Sequence, residues 1–169
     1  DIRQNGKTEA INLVTFLDNL MKNPRSDIRG ELYEFLMSGN TVITDDGCFL
    51  AYKKVNRDFT DIYTGKMDNS PGKVVTMDES KVDTDRTNVC SSGLHFCTYS
   101  YLANYGSAHD CQIVIVKINP RHVGAIPTDY RFAKGRCSEY YVVGVSDEPT
   151  INVLDNVHFV DSEYQIPNV

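Results

Sequence analysis

The apolar positions near the N-terminus recur every three or four residues, which is the spacing of one face of an amphipathic helix. Over residues 8–22 they form a stripe made of Ile11, Val14, Leu17 and Met21, widened by Leu13, Phe16 and Leu20. A second helical face follows the pair Asn23-Pro24 and consists of Ile28, Leu32, Phe35 and Leu36. Because the link is so short, residues 1–40 are predicted to form an antiparallel helical hairpin that packs on the rest of the chain.

From residue 41 the apolar positions alternate, and β-branched and aromatic residues dominate. The run "TVITDDGCFLAYKKV" predicts a hairpin around Asp46-Gly47, and residues 78–89 form a predicted surface loop. Further strands are predicted at 93–97, 111–120, 138–145, 151–154 and 157–160, with a short helix at 98–106. Helices followed by strands indicate an α+β fold. Residues 41–169 are predicted to form a β-rich body with a mixed or antiparallel split sheet, within one compact domain overall.

The formal net charge of −6 and the pI near 5.1 argue against a surface that binds duplex DNA. No apolar run reaches the roughly 18 residues that a transmembrane helix needs, and no secretion signal is present. We therefore expect a cytoplasmic protein without a transmembrane segment. Five cysteines at irregular spacings indicate reduced thiols rather than a disulfide framework.

The stretch "CSSGLHFCTYSYLANYG" at residues 90–106 concentrates candidate chemistry. Cys90, His95 and Cys97 are soft metal ligands, and Cys111, Cys137 or His109 could complete a zinc site. No pair of cysteines has the two- to four-residue spacing that zinc knuckles and ribbons use, so no metal is expected. Cys97 and His95 could alternatively form a nucleophilic pair, since a thiolate needs an adjacent imidazole. Small buried thiols are the more common outcome.

A third candidate emerges from the order of the pieces "LAYKK", "GLHF", "YLANYG" and "SEYYVV", which is similar to the ADP-ribosyltransferase superfamily. The resemblance implies a split sheet of that type and NAD as a cofactor. Glu139 would be the catalytic acid, and His95 stands where the family has a catalytic tyrosine. A carboxylate there stabilises the positive charge that develops on the ribose. The residues that the resemblance implies for cofactor binding are Tyr52, Lys53, Gly93, Tyr99, Tyr105 and Arg136.

The first strand departs from that superfamily, which carries an arginine, or a histidine followed by Gly-Ser, to hold NAD. The same pattern therefore fits an active enzyme, a nucleotide-binding relative or a scaffold without chemistry. A basic group near Glu139 could also receive a phosphate or an acidic partner surface, or form an ordinary solvated loop. This group comprises Arg121, His122, Arg131, Lys134 and Arg136, beside Tyr130.

Longer runs resemble the C-terminal region of the rIIB lysis-inhibition family of T-even-type phages. They include "ITDDGCFLAYKKV", "TGKMDNSPGKVVTM", "CSSGLHFC", "VKINPRHVGAIPTDY" and "AKGRCSEYYVV", in that order. The resemblance implies a phage accessory protein, active in lysis inhibition and in escape from host exclusion. It also implies an rIIA-like partner, a location in the host cytoplasm, and peripheral association with the inner membrane. The helix-turn-helix-like N-terminal part of the family is not represented, so DNA binding is not expected.

These patterns together predict a binding module for a phage or host protein, or for an NAD-like nucleotide. The alternative is an ADP-ribosyltransferase that uses NAD to modify a host target. The sequence leaves open whether any catalytic activity exists.

Overall fold

A computed structural model describes residues 2–38, 41–104, 111–146 and 158–160. The described part of the chain has two α-helices followed by nine strands. The helices are α1 (Ile2–Met21) and α2 (Ile28–Ser38). The strands are β1 (Val42–Thr44), β2 (Phe49–Asn56), β3 (Val74–Thr76), β4 (Leu94–Cys97), β5 (Cys111–Ile118), β6 (Val123–Ala125), β7 (Lys134–Cys137), β8 (Glu139–Val145) and β9 (His158–Val160). The predicted α+β class is confirmed.

Short 3-10 turns connect several strands, at Glu79–Lys81, Tyr99–Asn104, Pro120–His122 and Tyr130–Phe132. The helix predicted at 98–106 is therefore a tighter 3-10 helix over the residues that the structure describes. The strand predicted at 157–160 is present as β9, whereas the one predicted at 151–154 lies outside the described residues. The predicted turn between β1 and β2 is confirmed, with Gly47 at a φ of 73° that favours glycine.

The nine described strands form one sheet. Seven of them follow the order β3-β8-β5-β2-β4-β7-β6, and β1 and β9 lie off this path. The sheet forks at β2, where Leu50 pairs with β1 and Tyr52 pairs with Cys97 of β4 on the same edge. Strand β1 also pairs in parallel with β9, while the other pairs are antiparallel, so the sheet is mixed. Only Ser138 separates β7 from β8, although four strand spacings lie between them in the order. The sheet must therefore curl, so that β7 and β8 act as two parts of one bent strand.

The curled sheet encloses the main hydrophobic core. Successive residues of β2 point to opposite faces. Phe49, Ala51 and Val55 enter the main core, whereas Leu50 and Tyr52 enter a second cluster. Phe96 of β4 lies edge-on to Phe49 in that core, with ring centroids 5.6 Å apart. The two faces of β2 are thus chemically separate environments.

The two helices bury their packed side chains against the sheet. Helix α1 contacts β1 and the turn at 120–122, and α2 contacts β6 and the turn at 130–132. Phe16 and Leu20 of α1 enter the main core together with Ile28, Leu32 and Phe35 of α2.

The apolar stripe predicted on α1 is buried at Phe16 and Leu20, but the prediction is wrong for its four central residues. Ile11, Val14, Leu17 and Met21 are 64, 58, 48 and 60% exposed, and Asn12 is buried instead. Polar contacts on the other side of the helix account for this rotation. The amide of Asn19 donates hydrogen bonds of 3.0 Å to the carbonyls of both Asp46 and Gly47.

Helix α2 begins at Ile28, later than the Asn23-Pro24 pair had indicated. The side chain of Asn23 is buried, and its amide donates to the carbonyls of Pro120 at 2.9 Å and Val123 at 2.8 Å. These two hydrogen bonds connect the segment between the two helices to residues 120–123 of the sheet region.

Candidate functional site

Lys53 meets the backbone of His95, while the two side chains point to opposite faces of the sheet, because Leu94 and Phe96 on either side of His95 enter the main core. Lys53 follows Ala51 on the same face of β2, and its ammonium donates a 2.8 Å hydrogen bond to the carbonyl of His95. It also lies 5.7 Å from the centroid of the Tyr140 ring. Burial lowers the pKa of Lys53, and the nearby thiols and Asp61 oppose that shift only partly. The result is a half-buried cation that faces an aromatic ring and a backbone carbonyl.

His95 is the centre of a positively charged environment. Desolvation of its ring is the largest cause, and together with the charges of Lys53, Arg136 and Lys134 it lowers the pKa of His95 to about 4. The hydrogen bond with the backbone of Ser91 opposes the shift. The imidazole is therefore neutral at pH 7, although the residue itself is solvent-exposed. A neutral imidazole has one ring N–H that can donate a hydrogen bond to an anionic ligand, and its other ring nitrogen can accept one.

Arg136 is 0% exposed, and its guanidinium donates hydrogen bonds to backbone carbonyls of the loop at 83–88. Its Nε donates to the carbonyl of Asp83 at 2.9 Å, Nη1 to Asn88 at 2.7 Å and Nη2 to Asp85 at 2.9 Å. A Cβ on Gly93 would lie 2.8 Å from the Cβ of Arg136, so glycine allows the close packing there. The geometry gives Arg136 and Gly93 a role in anchoring the loop. Arg136 still contributes its positive charge to the surroundings of His95.

Tyr52 and Tyr99 lie on the opposite face of the sheet from Lys53. Their rings meet edge-on in the second cluster, with centroids 5.2 Å apart. The thiol of Cys97 donates to the carbonyl of Tyr52 at 3.4 Å, and burial raises its pKa to about 12. Such a thiol is protonated at neutral pH, which is the reverse of an activated nucleophile. The structure thus separates Tyr52 and Tyr99 from Lys53.

Glu139 is the first residue of β8 and stands opposite Thr76 of β3. Its Oε2 lies 3.1 Å from Nε2 of His122, in a pair whose side chains are 41 and 22% exposed. The carboxylate therefore reaches the surface near the turn at 120–122. Tyr105, the predicted stacking residue, lies outside the described residues. The roles that the resemblance implies for Glu139 in catalysis and for Tyr105 in cofactor binding stay predictions.

Lys134 forms a contact group that sequence reasoning did not identify as a unit. Its ammonium bonds to Asp129 and to the carbonyl of Val89, each at 2.8 Å. It also lies 5.8 Å from the centroid of Tyr101 and 5.4 Å from that of Tyr130. The basic character of the segment was visible in the sequence, but the two tyrosines are distant along the chain. Their meeting at Lys134 depends on the bend that follows β6.

The turn beside Lys134 has an unusual backbone. Tyr130, Arg131 and Phe132 have φ angles of 48°, 56° and 62°, in the left-handed region that non-glycine residues seldom adopt. The carbonyl of Tyr130 accepts a bond from the N–H of Ala133, and that of Phe132 accepts one from the Ser38 hydroxyl. The contacts of α2 with this turn support the backbone conformation.

Within the ranges that the structure describes, no group of three or more His, Cys, Asp or Glu residues could hold a metal ion. His109, one of the candidate zinc ligands, lies outside those ranges. No helix among the described residues has the length and hydropathy needed to cross a membrane.

The sequence of the chain was compared with known proteins, and it matches one family of phage proteins. The model of the family described as bacteriophage T4 protein rIIB matches residues 1–157. The chain is similar to protein rIIB of Enterobacteria phage T4, with 44% identity over 128 residues. That alignment covers 76% of this chain and 41% of the relative, so the match spans less than half of the relative's length. No solved structure matches the chain.

Proposed function

The chain belongs to the bacteriophage T4 rIIB family, and we propose that it is the binding module of a phage accessory protein. Its ligand is an anionic molecule such as NAD or a related nucleotide, which binds at the ammonium of Lys53. The observation that carries this proposal is the ammonium of Lys53, held by the His95 carbonyl at 2.8 Å and 5.7 Å from the centroid of the Tyr140 ring, in a chain whose net charge is −6.

The chemistry of Lys53 supports an anionic ligand. An ammonium has three N–H donors, and the hydrogen bond to the His95 carbonyl uses one of them. Phosphate oxygens would accept from the other two and would offset the loss of hydration that lowers the pKa of Lys53. The diphosphate bridge of a nucleotide therefore suits the Lys53 ammonium, because its oxygens accept hydrogen bonds and carry negative charge.

The resemblance to ADP-ribosyltransferases rests on the order of sequence pieces along the chain, and we keep it as part of the proposal. Strands β2, β4, β5 and β8 follow one another as the corresponding pieces do in that superfamily, and Glu139 begins β8. Enzymatic ADP-ribosyl transfer is the second candidate function. It is less favoured because Tyr52 packs on the far face of β2 and because Glu139 is paired with His122.

Binding is tested by measuring the melting temperature with and without NAD or ADP-ribose. A ligand that binds the native state at 100 times its Kd adds about 2.7 kcal/mol to stability. We expect Lys53→Met to abolish the shift in melting temperature. Lys54→Met is the matched control, because Lys54 is on the same strand but donates to the carbonyl of Leu102 on the other face. No shift at millimolar ligand, or equal loss in both variants, would refute nucleotide binding at this place.

The enzymatic candidate is tested by incubating the protein with labelled NAD and host lysate. Transfer of label by the wild type but not by Glu139→Gln would support catalysis, with Glu79→Gln as an exposed control. Absence of transfer by either protein would leave the binding module alone. The two experiments separate a ligand site from a catalytic one.

We also propose the cellular role that family membership suggests, namely lysis inhibition and escape from host defence, with an rIIA-like protein partner in the host cytoplasm. A phage that lacks its own rIIB would be complemented with the wild-type chain and with Lys53→Met. Restored lysis inhibition by the wild type alone would connect the ligand site to that role. Equal restoration by both would indicate that the protein partner, rather than the nucleotide, carries the function.

A further inference from the structure

Helix α1 carries a continuous apolar stripe on its solvent side. Ala10, Leu13, Val14, Leu17 and Met21 follow one another at steps of three, one, three and four residues, and all are exposed. Their larger members are between 42 and 60% exposed, and Ile11 beside them is 64% exposed. Together these side chains expose on the order of 500 Å² of surface, which is as large as the main apolar patch of a typical monomer. Such a patch indicates an interaction site.

The sizes of the residues along this stripe suit a second copy of the same helix in the opposite direction. The N-terminal half has small residues, Gly6 and Ala10, whereas the C-terminal half has the large side chains of Leu17 and Met21. A Cβ on Gly6 would meet no atom within 4 Å, so the space over it is open. An antiparallel pair places Gly6 opposite Met21 and Ala10 opposite Leu17 of the other copy. Its two-fold axis passes between Leu13 and Val14.

The charges beside the stripe fit the same arrangement. Lys7 and Asp18 are eleven residues apart, so at 100° per residue they lie on one flank of the helix, about 20° apart. In the antiparallel pair, Lys7 stands about 3 Å along the axis from Asp18 of the other copy, within reach of a lysine side chain. The two-fold axis generates this ion pair twice. A parallel pair would separate Lys7 from Asp18 of the other copy by about 16 Å along the axis and would form no such ion pair.

A membrane surface fits these residues less well. Helices that lie on anionic membranes usually carry basic polar faces, whereas α1 carries Glu9 and Asp18 among its basic residues. The net charge of −6 would also oppose binding to anionic lipid.

We propose that the chain forms a symmetric dimer in which α1 pairs antiparallel with α1 of a second copy. The pair would bury roughly 1,000 Å² in total, which lies at the low end for specific interfaces. We therefore expect a reversible dimer with a dissociation constant in the micromolar range. The ligand site at Lys53 is on a different element, so the dimer does not depend on the proposed nucleotide.

Sedimentation velocity from about 1 to 100 μM protein tests the assembly over the range in which such a dimer forms. We expect dimers for the wild type and monomers for Val14→Glu and Leu17→Glu, with unchanged far-ultraviolet circular dichroism because both side chains are exposed. Tyr33→Glu is the control, since Tyr33 is 63% exposed on α2. A wild type that stays monomeric, or a dimer that survives Val14→Glu and Leu17→Glu, would overturn the proposal. The proposal would also be overturned if the monomer sedimented with anionic vesicles and if Val14→Glu and Leu17→Glu abolished that binding.

Charge reversal tests the orientation. Lys7→Glu and Asp18→Lys should each weaken the dimer by about five- to tenfold, and the double variant should restore it, because exposed ion pairs contribute modest but measurable coupling. A cysteine at Val14, in a Cys90→Ser background, should form an intermolecular disulfide under mild oxidation, whereas one at Met21 should not. Efficient cross-linking at Met21, or failure of the double variant to recover, would exclude the antiparallel pair.

Discussion

The guanidinium of Arg136 is a fully buried charge whose hydrogen bonds all go to one loop, and its removal gives a direct test of what that loop requires. Arg136→Met keeps most of the buried volume and eliminates three donors, to the carbonyls of Asp83, Asp85 and Asn88. A hydrogen bond from a charged group contributes about 1.5–3 kcal/mol. Water can replace part of that when the loop opens, so we expect a loss of about 3–5 kcal/mol in unfolding free energy.

Urea unfolding followed by circular dichroism measures the global loss, and hydrogen exchange of residues 83–88 measures the local one. Arg136→Lys should recover only part of the stability, since an ammonium lacks the fork that reaches three carbonyls. Arg121→Met is the control, because Arg121 is exposed on the turn that follows β5. We expect this control to change the unfolding free energy by less than about 0.5 kcal/mol.

A loss below about 1 kcal/mol for Arg136→Met, with unchanged exchange in the loop, would refute the anchoring role because it is less than one charged hydrogen bond contributes. If the same variant instead abolished the melting-temperature shift with NAD at nearly unchanged stability, the sequence-based assignment of Arg136 to cofactor binding would be correct. The two roles therefore make opposite predictions for one substitution.

Three further substitutions test the core, the loop at Asp61 and the anchoring of the helices. Gly135→Ala should destabilise by about 1–3 kcal/mol, because its Cβ would lie 2.3 Å from the Phe96 ring; urea unfolding should show partial rescue by Phe96→Leu. Burial alone would raise the pKa of Asp61, but hydrogen bonds from residues 64–67 lower it to about 2. The ionised Asp61 therefore contributes up to about 2 kcal/mol to the free energy of unfolding above pH 4, and this contribution is lost as the pH falls towards 2. Urea titrations should show that the difference in unfolding free energy between the wild type and Asp61→Asn decreases over that range. Asn23→Ala should cost about 2–3 kcal/mol in thermal unfolding, because two buried carbonyls lose their donor; an unchanged stability would show that water replaces the amide.

The sequence predicted the class of the fold because periodicity is a local property. The β-branched run of β5 and the Asp46-Gly47 turn each carry their signal within a few residues, and both are present as predicted. The curl of the sheet could not be predicted, since it depends on the single residue Ser138 between β7 and β8. That connection becomes informative only when the partners of both strands are known.

The buried face of α1 shows a second limit. Apolar residues occupy a wide arc of this helix, so hydrophobicity alone permits several rotations about its axis. The observed rotation buries Phe16 and Leu20 and directs Asn19 towards the carbonyls of Asp46 and Gly47. Those carbonyls are 27 and 28 residues away along the chain. The hydrogen bonds of Asn19 thus determine which of the two apolar faces of α1 is left exposed.

Choosing between Tyr52 and Lys53 required the strand register, which the resemblance to known enzymes did not supply. Adjacent residues of a strand point to opposite faces, so at most one of the two can line a given cleft. The pairing of Tyr52 with Cys97 puts the tyrosine in the second cluster. Lys53 consequently shares the face of Ala51 and Val55, where Tyr140 and the His95 carbonyl contact its ammonium. An anionic ligand on this face of β2 would therefore contact Lys53 and not the aromatic ring of Tyr52, which is why Lys53→Met is the decisive variant.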